Sequence, residues 1–293
     1  MSTTSSVTPA PAPTRRHAAS SAAPGVSGAH GAGIARRTRF AAAGIAALLA
    51  FAVYAISNLT PWGQHTENVL VFGSDERQAV AYFPYSVLRL PPLHGETGAI
   101  VVGFLLAIGI AAARRRWRDL ATVAVAVPAS VLVDDAVARA LVKPALDPGS
   151  AIWTLASSFP SGHVVIVAAV STALAIVVPR RWLAWCLPIL GAWTALVSSA
   201  VLALGWHRPS DLLGAVLIVA AFFLAASAVF VPRTSPIELT GARIVPTLAA
   251  IIAFAAVFAV QPAVWATPVF AAFGALATVI ALVVALRLLR PQE

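Results

Sequence analysis

Apolar runs of membrane-spanning length restrict the fold of this chain more than any motif does. They occur near residues 40–59, 98–113, 120–142, 161–179, 182–204, 210–231, 244–262 and 267–287. A helix of ~20 apolar residues matches the hydrocarbon core of a bilayer, where each backbone N–H and C=O must be paired within the segment. The expected fold is therefore all-α, a polytopic transmembrane helix bundle. Composition agrees, since 59% of the residues are hydrophobic and only 11% charged, with a mean hydropathy of +0.86. That leaves too little polar surface for a water-soluble domain.

Three regions follow from this pattern. Residues 1–36 are rich in Ala, Ser, Thr, Pro and Gly, lack apolar periodicity and are expected to form a disordered cytoplasmic tail. Residues 37–231 hold six runs, the expected core, and residues 232–293 hold two additional C-terminal transmembrane helices. The first run lacks a small-residue cleavage site behind it and reads as a retained helix, not a signal peptide. Between the first two runs lies a polar loop, residues 60–96, whose stretch AVAYFPYSVLRLPP suits the membrane interface through its aromatic residues. His65 and His94 in that loop show no metal-ligand spacing and read as solvated; no metal and no cofactor are expected. The single cysteine, Cys186, excludes a disulfide framework.

The formal charge of +9 invites a nucleic-acid reading, but the arginines fall in short clusters between apolar runs and form no continuous basic face. They read as topology signals. With a cytoplasmic N-terminus, the inside segments hold 15 of the 20 basic residues, leaving Arg77, Arg89, Arg139, Lys143 and Arg208 outside. The positive-inside rule selects this orientation, with both termini cytoplasmic in a plasma membrane. The alanine-rich, lysine-poor composition points to a GC-rich bacterial genome.

The same orientation sets three polar stretches on the outer side: RALVKPALDP at 139–148, SFPSGH at 158–163 and LGWHRPSD at 204–211. The helices between the second and third descend and return, so His163 and His207 converge. A Pro-Ser-Gly turn entering a helix offers backbone N–H groups at the positive end of the helix dipole, where glycine lets an anion come close. His163 stands beside that cradle, placed to move a proton. His207 and Asp211 share one face of a helix beginning at Pro209, so the carboxylate can hold the imidazole tautomer, leaving a nucleophile for phosphorus. Ser161 suits both a helix cap and a phosphate ligand. Lys143, the only lysine, lies on the outer side away from the cytoplasmic clusters, where it suits an interfacial anchor, and Arg208 reads as a headgroup anchor. Asp135 and Arg139 are spaced to neutralise each other on one helix face. Asp134 and Asp135, as costly intramembrane carboxylates, are open to a functional role instead.

These residues resemble the type 2 phosphatidic acid phosphatase (PAP2) superfamily. Its second motif, Pro-Ser-Gly-His, is complete at Pro160, Ser161, Gly162 and His163; its third ends in His-x-x-x-Asp, found at His207 and Asp211. Where that third motif begins with Ser-Arg, this chain has Ala200 and Val201, and of the first motif only Lys143 and Pro144 align with the Arg-Pro pair. The resemblance spans residues 90–231. It implies a metal-independent phosphatase acting on a lipid phosphate or diphosphate, of polyprenyl or glycerolipid type, at the outer membrane face. His207 would be the nucleophile, Asp211 its orienting acid and His163 the acid for the leaving oxygen, with Lys143, Ser161 and Gly162 binding substrate. A lipid phosphotransferase and a non-catalytic lipid-phosphate-binding relative are the alternatives; a transporter is disfavoured, since no inverted repeat is visible.

Overall fold

The structure is a computed structural model that describes residues 26–71, 85–86, 89–148 and 157–232. The two expected C-terminal helices and most of the aromatic interface stretch lie outside the described residues. Among those described, the chain is helical and without strands. In chain order the helices are α1 (Val26–Asn58), α2 (Pro61–Val71), α3 (Glu96–Ala113), α4 (Trp117–Ala140), α5 (Gly162–Val177), α6 (Arg180–Ala203) and α7 (Pro209–Phe230).

Among the described residues, five helices are long and apolar enough to cross a membrane: residues Arg36–Asn58 of α1, α3, α4, Trp185–Ala203 of α6, and α7. Their outer faces carry exposed Leu48, Phe51, Val102, Leu105, Leu132 and Ile189, side chains that hydrocarbon accommodates and water does not. Helix α5 differs. Its 16 residues span about 24 Å, short of a bilayer core of ~30 Å. It is the innermost helix, packed against α3, α4, α6 and α7 with nearly every side chain buried. A helix enclosed by protein need not reach both interfaces. Small residues allow the approach: a Cβ on Gly103 of α3 would collide with Val170 of α5.

The basic clusters stitch one end of the bundle together. Arg39 is buried and donates to the carbonyls of Ser227 at 2.6 Å and Val231 at 2.5 Å, closing the C-terminus of α7. Arg114 donates to Val177 O at 2.6 Å and so closes α5. Cations there satisfy orphan carbonyls and complement the negative end of the helix dipole. The N-termini of α5 and α7, and the segment after α4, all lie at the opposite end.

Two expectations are corrected. Helix α1 begins at Val26, inside the segment expected to be without structure. The expected polar loop 60–96 opens with α2, which turns back from α1. Thr60 accepts from Gly63 N at 3.0 Å and Pro61 occupies the first helical position, a helix start of ordinary kind. Gly63 is required there, because a Cβ would strike the carbonyl of Ile56.

Candidate active site

The α5–α6 hairpin and the turn into α7 bring the two expected histidines together, with ring centroids 5.9 Å apart. His207 follows the last turn of α6, where the N–H groups of Trp206 and His207 both bond Val201 O, at 3.0 and 3.3 Å. Val201 and Ala200, which stand where the resembled motif has Ser-Arg, are core residues. His163 is the second residue of α5.

His207 Nδ1 lies 3.1 Å from Ser158 O and 3.4 Å from Asp211 Oδ2. A carbonyl oxygen only accepts, so Nδ1 bears the proton and the lone pair of the neutral ring sits on Nε2. Asp211, fully buried, is itself held: Oδ2 accepts from Ser158 Oγ at 2.6 Å and from Arg208 N at 2.8 Å. The carboxylate thus serves the imidazole and the start of α7 together.

Ser161 is seated as the cap of α5. It is buried, its Oγ accepts from Val164 N at 3.4 Å, and its own N–H donates to Asp211 O at 3.2 Å. That ties the two histidine-bearing turns to each other. The N–H groups of Gly162 and His163 are the first of the helix and precede its hydrogen-bond ladder. A Cβ at Gly162 would come within 3.2 Å of Asp134 Oδ2, so this turn lies against α4 as well. Asp134 is buried, and its Oδ1 has no hydrogen-bond partner among the described residues.

Both cations of the site are buried. Lys143 has Arg208, Asp211, Glu67 and Asp147 as charged neighbours, and burial is the larger cause, before the Arg208 charge, of an ammonium pKa lowered to about 8. Arg208 is not the headgroup anchor expected. Its Nη1 donates to Ser158 Oγ at 2.8 Å and its Nε to Asn68 Oδ1 at 3.3 Å, turning the guanidinium inward. Asp135 and Arg139 form the expected exposed pair, with Arg139 Nη1 donating to Asp135 Oδ1 at 2.7 Å.

Sequence reasoning missed four residues here. Glu96, at the start of α3, lies 3.0 Å from His163 Nε2 and pairs with the imidazolium form. Ser158 bridges Arg208 and Asp211. Glu67 and Asn68 reach in from α2, the helix read as loop. His65, expected to be solvated, is exposed yet lies 3.1 Å from Asp147 Oδ1 through Nδ1. With a hydrogen bond from Asn68 as the larger cause and His65 next, Asp147 titrates below its ordinary range. No signal in the sequence separates these from other polar loop residues, except the Thr60-Pro61 helix start.

The described residues thus define a helical membrane protein with a histidine–aspartate centre and two buried cations at one end of the bundle. Residues 120–235 match the family model of the PAP2 superfamily, whose members are phosphatases acting on phosphate esters, often those of lipids. The match runs from α4 past α7 and includes Lys143, Ser161, Gly162, His163, His207 and Asp211. No curated protein and no solved structure matches the chain.

Proposed function

We propose that this protein is a lipid phosphate or diphosphate phosphatase that works through a phosphohistidine, without a metal ion. The observation that carries the reading is the fixed tautomer of His207. With Nδ1–H held by Ser158 O and Asp211, the Nε2 lone pair is free to form a bond to phosphorus. As that N–P bond forms, the P–O bond to the leaving group breaks and its electron pair goes to the oxygen. His163, protonated, gives that oxygen a proton. Water then attacks the phosphohistidine, His163 takes the proton back, and phosphate leaves His207. Lys143, Arg208 and the first N–H groups of α5 are the groups available to offset charge on the phosphoryl oxygens.

A lipid substrate is supported by an apolar groove of about 540 Å³ between α1, α4 and α7. Tyr54, Leu141 and Phe159 line it. Leu141 lies just before Lys143, and Phe159 just after Ser158. Tyr54 O–H donates to Val142 O at 2.5 Å, so the wall of the groove also holds the connection carrying Lys143. A chain lying there would leave its phosphate at the histidines. We further propose that this end faces outward from a bacterial plasma membrane, as the arginine distribution implies.

The test is phosphate release by the purified chain in detergent, over a panel of lipid monophosphates and diphosphates with chelator present. Acid-labile phosphoenzyme should accumulate in the wild type and be absent from His207→Ala. Equal residual release from the two would defeat the catalytic reading; transfer to an added alcohol in place of water would make the protein a phosphotransferase; and binding without release would make it a lipid-phosphate-binding relative.

A further inference from the structure

Helix α2 turns a row of polar side chains into the protein. Gln64, Glu67 and Asn68 share one helical face by their spacing and are all buried. Gln64 Nε2 donates to Asn58 O at 2.7 Å and to Pro144 O at 2.6 Å, while its Oε1 accepts from Leu146 N at 3.1 Å. Glu67 accepts from Ser210 N at 2.9 Å and from Ser210 Oγ at 2.8 Å. Asn68 joins both sides, donating to Asp147 Oδ2 at 2.7 Å and accepting from Arg208 Nε at 3.3 Å. Gln64 grips the backbone just after Lys143, Glu67 grips the first turn of α7, and Asn68 holds the side chains of Asp147 and Arg208.

We propose that α2 is the positioning element of the phosphate site, with Gln64 setting the connection that carries Lys143, and Glu67 and Asn68 setting the turn that carries Arg208 and Asp211. The proposal rests on reading this site as phosphate-binding. Its physical basis is that Lys143 lies in a connection and Arg208 at the cap of α7, at the edge of the helical ladder, while a transferring phosphoryl group needs donors already in place. Glu67 holds Ser210 N, an orphan donor of the first turn of α7, and so fixes the turn in which Asp211 faces His207. Asn68 orients the guanidinium through Nε, and Ser158 Oγ accepts from Nη1. None of the three residues touches the reacting atoms in this scheme.

The test uses the full chain in detergent. Affinity for a short-chain lipid phosphate is measured by calorimetry, and phosphate release in single turnover, for Asn68→Ala, Glu67→Ala and Glu67→Gln. Leu183→Ala, a core change on α6 at the arginine-rich end, serves as the control for lost stability, with Tm recorded for all. At comparable Tm loss, Asn68→Ala should weaken Kd about tenfold, as expected when a hydrogen bond that orients a charged group is lost. Glu67→Ala should slow release by roughly 30-fold with little change in Kd, because misplacement of the nucleophile costs rate before it costs binding. Glu67→Gln should recover most of that, since its amide can accept from Ser210 N and donate to Ser210 Oγ. Variants of α2 that track Leu183→Ala in Kd and rate would overturn the proposal while leaving the phosphatase reading intact. A wild type that binds but releases no phosphate would end the phosphatase reading, and the Kd comparison would then decide the role of α2. A wild type that binds no lipid phosphate overturns both. Should the alanine variants fail to fold, Asn68→Leu and Glu67→Met, which keep most of the side-chain volume and lose these hydrogen bonds, carry the same comparison.

Discussion

Ser158 and Asp211 are joined by a 2.6 Å hydrogen bond, the shortest of the contacts on Asp211 Oδ2. The same hydroxyl accepts from Arg208 Nη1 at 2.8 Å, and the carbonyl of the same residue faces His207 Nδ1. One serine therefore couples His207, Asp211 and Arg208. Because Ser158 leads through Phe159 into the Pro-Ser-Gly-His turn, the α5 end and the α7 end are locked together by a residue belonging to neither helix.

Removing that hydroxyl should slow chemistry more than it destabilises the fold. In Ser158→Ala the carbonyl remains, so the His207 tautomer survives, but Asp211 loses a donor and Arg208 an acceptor. A fall in single-turnover rate of about 10- to 100-fold is expected, with a stability loss of ~1–2 kcal/mol. Ser158→Thr should restore much of the rate. A Ser158→Ala enzyme with unchanged rate would show that this coupling is structural only.

The two histidines should separate by leaving group. In the proposed mechanism His207 bonds phosphorus, so His207→Ala should abolish turnover with every substrate. His163→Ala removes a proton donor, a loss on the order of 10²–10⁴-fold when an alkoxide departs and less when the leaving group is a weakly basic phosphate. Lipid monophosphate and diphosphate are the substrates to compare. Equal losses for both in His163→Ala would remove the acid role from that residue.

Much of this architecture was legible in the sequence because hydrophobic length and motif spacing are local quantities. The apolar runs marked the spanning helices, and the single hairpin between Pro-Ser-Gly-His and His-x-x-x-Asp sufficed to bring His163 and His207 together. What escaped depended on long-range burial. Arg208 looked like a headgroup anchor because its neighbours are interfacial, yet Ser158 and Asn68 supply acceptors that make burying it tolerable. Glu67, Asn68 and Gln64 looked like loop residues because a polar face turned inward has the same periodicity as one turned to water. Only Thr60-Pro61 announced α2, and the apolar run ending at residue 59 hid it. Glu96 pairs with His163 across two helices, and no spacing in the chain encodes that distance.

Orientation in the membrane can be read by chemical labelling. The single native thiol is removed with Cys186→Ala, and a cysteine is introduced at Pro148 or at Arg118, both exposed and at opposite ends of the bundle. In intact cells an impermeant maleimide should label the first and spare the second until the membrane is opened. The reverse pattern would put the histidines in the cytoplasm and change the pool of lipid phosphates available to them.

The sharpest dependence on pH should come from Lys143. Its pKa is lowered, by burial first and the Arg208 charge second, from 10.5 to about 8, so it is cationic below that pH and neutral above. As a phosphate ligand it should make kcat/KM fall as pH rises through about 8, whereas bound phosphate favours the charged amine and moves the same limb of kcat upward. Lys143→Arg keeps its charge throughout and should lose the limb. Stability moves the other way. Between about 8 and 10.5 the unfolded chain holds the lysine proton and the folded chain does not, so stability contributed by this group rises with pH across that window. Glu67 acts lower and with opposite slope. Burial first and the nearby Asp211 charge next raise it from 4.5 to about 7, so the folded chain binds the extra proton. Its contribution is complete below 4.5 and is lost as pH rises through about 7. Activity that declines above pH 8 while Tm holds or climbs cannot arise from alkaline unfolding, and a Lys143→Arg enzyme that kept the same limb would assign it to another group.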